Sequence, residues 1–139
     1  MARSSKQAFN LQETLNTDLK KIPGFVHRVS EKIFALTGKK EEAFHVKLSL
    51  EEALSNAMRH GNKLKPGAKV IVKIKASPKM ILLDVHDEGK GFDSRGLSDP
   101  TNRENLRSPS GRGVFLMRKL MDKVEFYDGG SGVRIRKKF

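Results

Sequence analysis

The sequence predicts a single domain over residues 1–139 that combines helices with antiparallel strands. Apolar residues recur at helical spacing in the first half of the chain, and two later segments alternate apolar with charged residues. A chain of 139 residues is long enough to bury one sizeable core. Since it has no cysteine, disulfide scaffolds and thiolate metal sites are excluded.

Two segments have helical spacing. The first covers residues 14–36, where we expect the pair Pro23 and Gly24 to form a joint or to open the second part of the helix. The second covers residues 41–60 and stops at Gly61 and Asn62. A short strand is predicted before them, at residues 8–11.

The second half of the chain predicts two hairpins. Residues 69–76 alternate valine and isoleucine with lysine, a turn follows, and residues 80–86 are again typical of a strand. A long loop is expected over residues 87–113, and then a buried helix over residues 114–121. Residues 123–127 and 133–138 predict the closing hairpin.

The charge balance favours anionic partners. With 28 basic and 16 acidic residues, the net charge of +12 attracts nucleic acid, phosphate-bearing ligands or an acidic protein. No recognisable nucleic-acid-binding motif accompanies this charge, so we expect no direct nucleic-acid partner. No apolar run is long enough to cross a membrane, and the first residues lack the pattern of a signal peptide. We therefore expect a cytoplasmic protein without a membrane partner.

Three short segments carry polar chemistry. Glu52, Asn56 and His60 follow one another at intervals of four, which aligns them on one stripe of the second helix. An asparagine oxygen together with phosphate oxygens can hold Mg²⁺, and a nearby carboxylate can accept a proton from a hydroxyl. From the spacing alone, an ordinary solvated helix face is the favoured explanation of the stripe, because short motifs often match by chance.

The other two segments are rich in glycine. Asp87 ends a predicted strand and is followed by Gly89 and Gly91, so its carboxylate could accept a hydrogen bond from the amino group of a base, or the segment could be a simple turn. Gly111, Arg112 and Gly113 precede a helix whose free amide groups favour an anion. A flexible helix start is the alternative. The glycine spacings of Rossmann and P-loop proteins are missing.

Taken in order, these segments resemble the N, G1 and G2 boxes of the GHKL ATPase superfamily, and they are most similar to the anti-sigma-factor serine kinases. The resemblance extends from about Leu50 through Glu125. It implies a two-layer α/β (α+β) sandwich of the Bergerat type, with helices packed on one face of a mixed, mostly antiparallel sheet. It also implies that ATP binds together with Mg²⁺.

The resemblance assigns a role to each residue. Glu52 would be the catalytic general base, Asn56 the metal ligand, and Asp87 the residue that recognises the adenine amino group. His60 would support the nucleotide. The glycines of the second segment, Gly89 and Gly91, would shape the adenine pocket.

The third segment would contact the phosphates. Gly111 and Gly113 would form the phosphate-facing end of a lid over about residues 93–112. Arg112 would neutralise phosphate charge, with Arg103 and Arg107 also available for this role.

The resemblance further implies an ATP-dependent protein serine/threonine kinase that is also an anti-sigma factor. Its substrate would be an anti-sigma-factor antagonist, its second partner a sigma factor, and a homodimer is plausible. A binding module that sequesters a sigma factor without phosphoryl transfer remains an alternative. The catalytic domain of a histidine kinase fits less well, because no helix pair with a phosphoacceptor histidine is evident. Nucleic-acid binding is a third alternative, and it rests on the +12 charge alone.

Overall fold

The computed structural model describes residues 7–89 and 112–139. In this part of the chain, three α-helices and five strands follow one another in the order β1, α1, α2, β2, β3, α3, β4, β5. Their bounds are β1 Phe9–Asn16, α1 Ile22–Thr37, α2 Lys40–Asn56, β2 Lys69–Ser77, β3 Met80–Asp87, α3 Arg112–Leu120, β4 Lys123–Tyr127 and β5 Gly132–Lys138. Short 3-10 turns occur at Leu19–Lys21 and Asp128–Gly130.

The strands form one sheet in the order β1-β2-β3-β5-β4. Every described ladder is antiparallel, so the predicted α+β sandwich is confirmed, whereas none of the parallel pairing that a mixed sheet implies occurs among these strands. Helix α1 packs against α2, and α2 packs against α3. The predicted strands of both hairpins and the helix before the closing hairpin lie within two residues of their observed bounds.

One face of the sheet forms the core together with the helices. Alternate residues of the central strands are buried there, as the period of two in a strand requires. These buried residues are Val70, Val72 and Ile74 on β2 and Ile81, Leu83 and Val85 on β3, each at most 1% exposed. From the helices, the fully buried Phe25, Ile33, Leu50 and Leu54 meet them.

The prediction that a helix begins near residue 14 is wrong. Strand β1 continues to Asn16, and Leu15 lies opposite Val70 in the ladder with β2. The helix starts only at Ile22, with Pro23 in its first turn. Amide groups in the first turn of a helix have no carbonyl partner within the helix, so proline, which lacks an amide hydrogen, is tolerated there. Its end at Gly38 has φ 70°, a left-handed conformation that glycine adopts without strain.

The second predicted helix is present but changes its geometry near its end. Helix α2 ends at Asn56, and Ala57–Gly61 continue it as a π-helical turn. The amide of Asn62 donates a 2.8 Å hydrogen bond to the carbonyl of Ala57, which is the i to i+5 bond of such a turn. Among the described residues, the helices are all too short or too polar to cross a bilayer.

Candidate functional site

Glu52 and Asn56 are neighbours on the inner edge of helix α2. They are one helical turn apart, so their side chains are neighbours on the surface of the helix. Asn56 is 7% exposed. Burial raises the pKa of the Glu52 carboxyl above its ordinary value, the side-chain amide of Asn56 lowers it in part, and nearby Glu51 raises it further. Glu52 is therefore a carboxylate that accepts a proton more readily than a solvated glutamate does.

The beginning of helix α3 lies directly against Glu52. A Cβ atom placed on Gly113 would be 2.0 Å from both Cδ and Oε2 of Glu52, far inside contact distance. Only glycine allows the backbone of α3 to approach the carboxylate so closely. The predicted residues Glu52 and Gly113 are thus brought together, although they come from helices widely separated in the sequence.

Asp87 ends strand β3 and is 3% exposed. Its Oδ1 accepts a 2.7 Å hydrogen bond from the amide of Gly89. A Cβ atom on Gly61 would lie 2.0 Å from Oδ2, and one on Gly89 would lie 2.2 Å from the carbonyl oxygen of Gly61. The three residues form a tight contact in which the glycines leave room for the carboxylate.

Asn62 holds the end of α2 to the sheet. Its side-chain amide donates 2.9 Å hydrogen bonds to Oγ1 of Thr17 and to the carbonyl of Lys69. Its side-chain oxygen accepts a 2.8 Å bond from the amide of Glu88. Because Asn62 is 6% exposed and bonds at both ends, it fixes the π-helical turn against the strands that carry Asp87.

A small cavity lies where α2, α3 and the sheet meet. Its walls are mostly apolar, with Asn56, Asp87 and Ser131 as polar groups. The lining residues are Ala53, Asn56, Ala57, Val85, Asp87, Met117, Phe126, Gly130, Ser131, Gly132 and Val133. Apolar walls with a few convergent polar groups are typical of sites for small molecules.

The remaining predicted residues occupy different places. His60 lies in the π-helical turn, is partly exposed and does not line the cavity. Gly91 and Gly111 lie outside the described residues, as does most of the predicted lid. Arg112 is the first residue of α3, and its side chain also lies outside the description.

Sequence reasoning missed three features of the site. The sequence indicates Gly61 and Asn62 only as a helix stop. It does not single out Ser131, which lines the cavity. The burial of Asn62 is a tertiary property, so its sequence signal is weak. The placement of a glycine and an asparagine directly after the polar stripe was the available hint.

A magnesium ion would need oxygen ligands from more than the protein. Within the described ranges, no group of three or more histidine, cysteine or acidic side chains could hold a metal ion. The side-chain oxygen of Asn56, next to Glu52, suits a metal that takes its other ligands from phosphate and water. The donor set therefore fits Mg²⁺ bound together with a nucleotide.

The chain matches the family model described as histidine kinase-like ATPase domain over residues 15–137. The anti-sigma F factor of Clostridium acetobutylicum is 34% identical over 105 residues, which cover 71% of this chain and 72% of the relative. The anti-sigma F factor of Bacillus cytotoxicus is 32% identical over 94 residues, covering 66% and 64%.

A third relative has a name that states an activity. The serine-protein kinase RsbW of Bacillus subtilis is 29% identical over 101 residues, which cover 68% of this chain and 62% of the relative. The family match includes helix α2, the end of β3 and helix α3, which together build the site. The chain belongs to the histidine kinase-like ATPase domain family, in which its relatives include anti-sigma factors and a serine-protein kinase.

Proposed function

We propose that this chain is an ATP-dependent protein serine/threonine kinase and an anti-sigma factor. Its substrate is a serine or threonine of an anti-sigma-factor antagonist, and its second partner is a sigma factor in the cytoplasm. The observation that carries the proposal is the convergence of Asn56 and Asp87 at one cavity, with Glu52 one helical turn from Asn56 and against the start of α3. The names of the relatives support the choice of partner proteins.

The adenine ring would bind in the apolar cavity. Asp87 is buried and held by the amide of Gly89, so its carboxylate is positioned to accept a hydrogen bond from the exocyclic amino group. Because Gly61 has no side chain, the carboxylate has room in this position. A fixed acceptor distinguishes adenine from guanine, because guanine presents an oxygen at the corresponding position.

Asn56 and Glu52 would act at the phosphate end. Bound ATP with Mg²⁺ supplies the phosphoryl group and the charge neutralisation for its transfer. Asn56 would offer its side-chain oxygen to the metal, and His60 would support the nucleotide from the π-helical turn. Gly111, Arg112 and Gly113 would face the phosphates, as Gly89 and Gly91 would face the base.

Glu52 would orient the hydroxyl of the partner protein and accept its proton. The raised pKa of this carboxyl suits a base that works close to neutral pH. Since Glu52 must be ionised to accept the proton, the rate of transfer should fall as the pH drops through this raised pKa, which lies above the ordinary value of 4.5. The affinity for ATP over the same pH range should change much less.

The deciding experiment is a transfer assay with labelled ATP and a candidate antagonist protein, followed by detection of phosphoserine or phosphothreonine. Glu52→Gln keeps the shape that packs against Gly113, so it should fold and bind ATP but lose transfer by at least about a hundredfold. Asn56→Ala should instead weaken binding of ATP in the presence of Mg²⁺. Circular dichroism checks that both variants are folded.

The opposite results separate kinase from binding module. If the Glu52→Gln variant transfers phosphate at the wild-type rate, Glu52 is not the base. If wild type transfers no phosphate but regulates the sigma factor with ATP bound, the chain is a nucleotide-dependent binding module. Pairing of two copies, which the resemblance implies, stays a prediction that light scattering can test.

A further inference from the structure

The outer face of the sheet, which points away from the helices, is strongly basic. On strands β2 to β5 it carries seven lysines and arginines but only two acidic residues. The basic residues are Lys69, Lys73, Lys75, Lys123, Arg134, Arg136 and Lys138, and the acidic ones are Asp84 and Glu125. The face therefore holds an excess of five positive charges out of the +12 of the chain.

The helical layer has no comparable excess where α2 covers the core. The 17 residues of α2 include two lysines and four glutamates. The excess of positive charge on the outer face is therefore not matched on α2.

The acidic groups of the outer face are already engaged. Asp84 accepts a 2.5 Å hydrogen bond from the hydroxyl of Tyr127 and lies 3.4 Å from Nε of Arg134. Glu125 lies 3.9 Å from the ammonium group of Lys123. These contacts use two of the seven cations, so most of the positive charge remains for an outside partner.

The exposed cations form a regular array. In the ladders, Lys75 lies opposite Leu82, and Leu82 lies opposite Arg136. Lys75 and Arg136 therefore stand about 10 Å apart across two strand spacings, and Lys73 is about 7 Å from Lys75 along β2. This spacing allows neighbouring cations to contact successive phosphates of a nucleic acid.

A protein partner fits this face poorly. Protein interfaces place apolar anchors at the centre and charges at the rim. Here the exposed apolar residues Ile71 and Met80 lie at opposite ends of the β2–β3 hairpin, at 39% and 41% exposure, with the cations between them. A second copy of the chain would bring like charges together across the interface, which opposes association.

The aromatic residues of the face favour contacts with phosphates over contacts with bases. The guanidinium of Arg134 covers the ring of Tyr127 at 4.1 Å from its centroid. Gly132 lies so close to the ring that a Cβ there would be 2.4 Å from its Cζ. His86 contacts Tyr127 and bonds Asp128 at 3.0 Å. Single-strand binding relies on open rings for stacking, which Tyr127 does not offer.

We propose that the outer face of the sheet binds the phosphate backbone of duplex nucleic acid without preference for sequence. This surface is on the opposite side of the sheet from the cavity, so it is a second interaction in addition to the proposed kinase site. It gives the large positive charge a function, and it favours the nucleic-acid alternative over the expectation of no direct nucleic-acid partner.

The test measures fluorescence anisotropy of a labelled DNA duplex of about 20 base pairs over a range of salt concentrations. Wild type should bind at about 50 mM salt and weaken steeply towards about 200 mM. The triple variant Lys73→Gln, Lys75→Gln, Arg136→Gln should bind at least about tenfold more weakly. It should also lose about 3 units of the slope of log K against log salt, at roughly 0.9 per phosphate contact.

A matched control removes the same charge from the helical side. Lys32, Lys39 and Lys40 are exposed on or beside helices α1 and α2, and their replacement by glutamine should change duplex affinity less than about twofold, because they do not belong to the array on the outer face. A charge-preserving triple, Lys73→Arg, Lys75→Arg, Arg136→Lys, should retain the affinity. All three triples should unfold at the wild-type urea midpoint.

Four results would overturn the proposal. The first is the absence of duplex binding at low salt, and the second is an equal loss of duplex affinity in the two glutamine triples. The third is that polyglutamate displaces the labelled duplex as well as unlabelled duplex does at equal charge. The fourth is that the protein is a dimer and that the sheet-face triple dissociates it. The third result would indicate an acidic protein partner, and the fourth would indicate a second copy of the chain. Single-stranded DNA that binds more tightly than the duplex would also contradict backbone recognition.

Discussion

Strand β3 presents Leu83, Val85 and Asp87 to the helices and Asp84 and His86 to the opposite side. The inner residues are almost fully buried, and the row ends in a carboxylate at the cavity. The outer residues are partly exposed and make polar contacts with Asp128 and Arg134. The alternation of side chains along a strand therefore lets one segment build a buried site and a charged surface independently.

The largest expected difference between the two faces concerns stability. Leu83→Ala removes a side chain that is 0% exposed, and it should lower the free energy of unfolding by about 3 kcal/mol. Its neighbour Leu82 is only partly buried, so Leu82→Ala should lower it by about 1 kcal/mol. Urea unfolding of both variants measures the difference. Equal losses would mean that the outer face is covered by something as tightly packed as the helices.

A smaller effect is expected at the contact with Asp87. Gly61→Ala places a Cβ 2.0 Å from the carboxylate, so it should lower the free energy of unfolding by about 2 kcal/mol and weaken ATP binding about tenfold or more. Gly24→Ala is the matched control, because a Cβ there meets nothing within 4 Å and alanine favours a helix. Calorimetry and urea unfolding measure both quantities. Normal ATP affinity in Gly61→Ala would exclude Asp87 from the binding site.

The smallest effect is expected on the outer face. Tyr127→Phe removes the hydrogen bond to Asp84 and should lower the free energy of unfolding by about 1 kcal/mol. Burial and the bond to Asp84 raise the pKa of Tyr127, so the hydroxyl stays protonated and donates this hydrogen bond at neutral pH.

A double-mutant cycle isolates this bond from other effects. Asp84→Asn and the double variant complete the cycle, and the coupling between the two positions should be clearly above zero. Since neither residue lines the cavity, ATP affinity should stay at the wild-type value in all three variants. A change in ATP affinity would show that the two faces are not independent.

The sequence predicted most of the elements but not where β1 ends. On β1, the inner positions are Phe9, Leu11, Glu13 and Leu15. Glu13 interrupts the apolar alternation, and it is tolerated because Arg28 lies 3.3 Å from its carboxylate. Leu15 also continues the helical spacing of α1, so the pattern fitted both structures. Only the ladder with β2 decides between them, and that is a tertiary interaction.

The candidate site was predictable where it depended on local spacing. Glu52 and Asn56 lie one turn apart on a helix, which the sequence showed directly. The contacts of Gly61 with Asp87 and of Gly113 with Glu52 join elements that are distant in the sequence. Their distances depend on how the helices pack on the sheet, and a single sequence carries no signal for them.

The π-helical turn at Ala57–Gly61 constrains how this protein can change during evolution. Its five-residue hydrogen-bonded ring contains one residue more than an ordinary helical turn, and the loss of any one residue would restore ordinary winding. Everything after the deletion would then rotate by about 100° around the axis. Gly61 would leave Asp87, and Asn62 would lose its anchors, so substitutions should be tolerated at this point far better than a change of length.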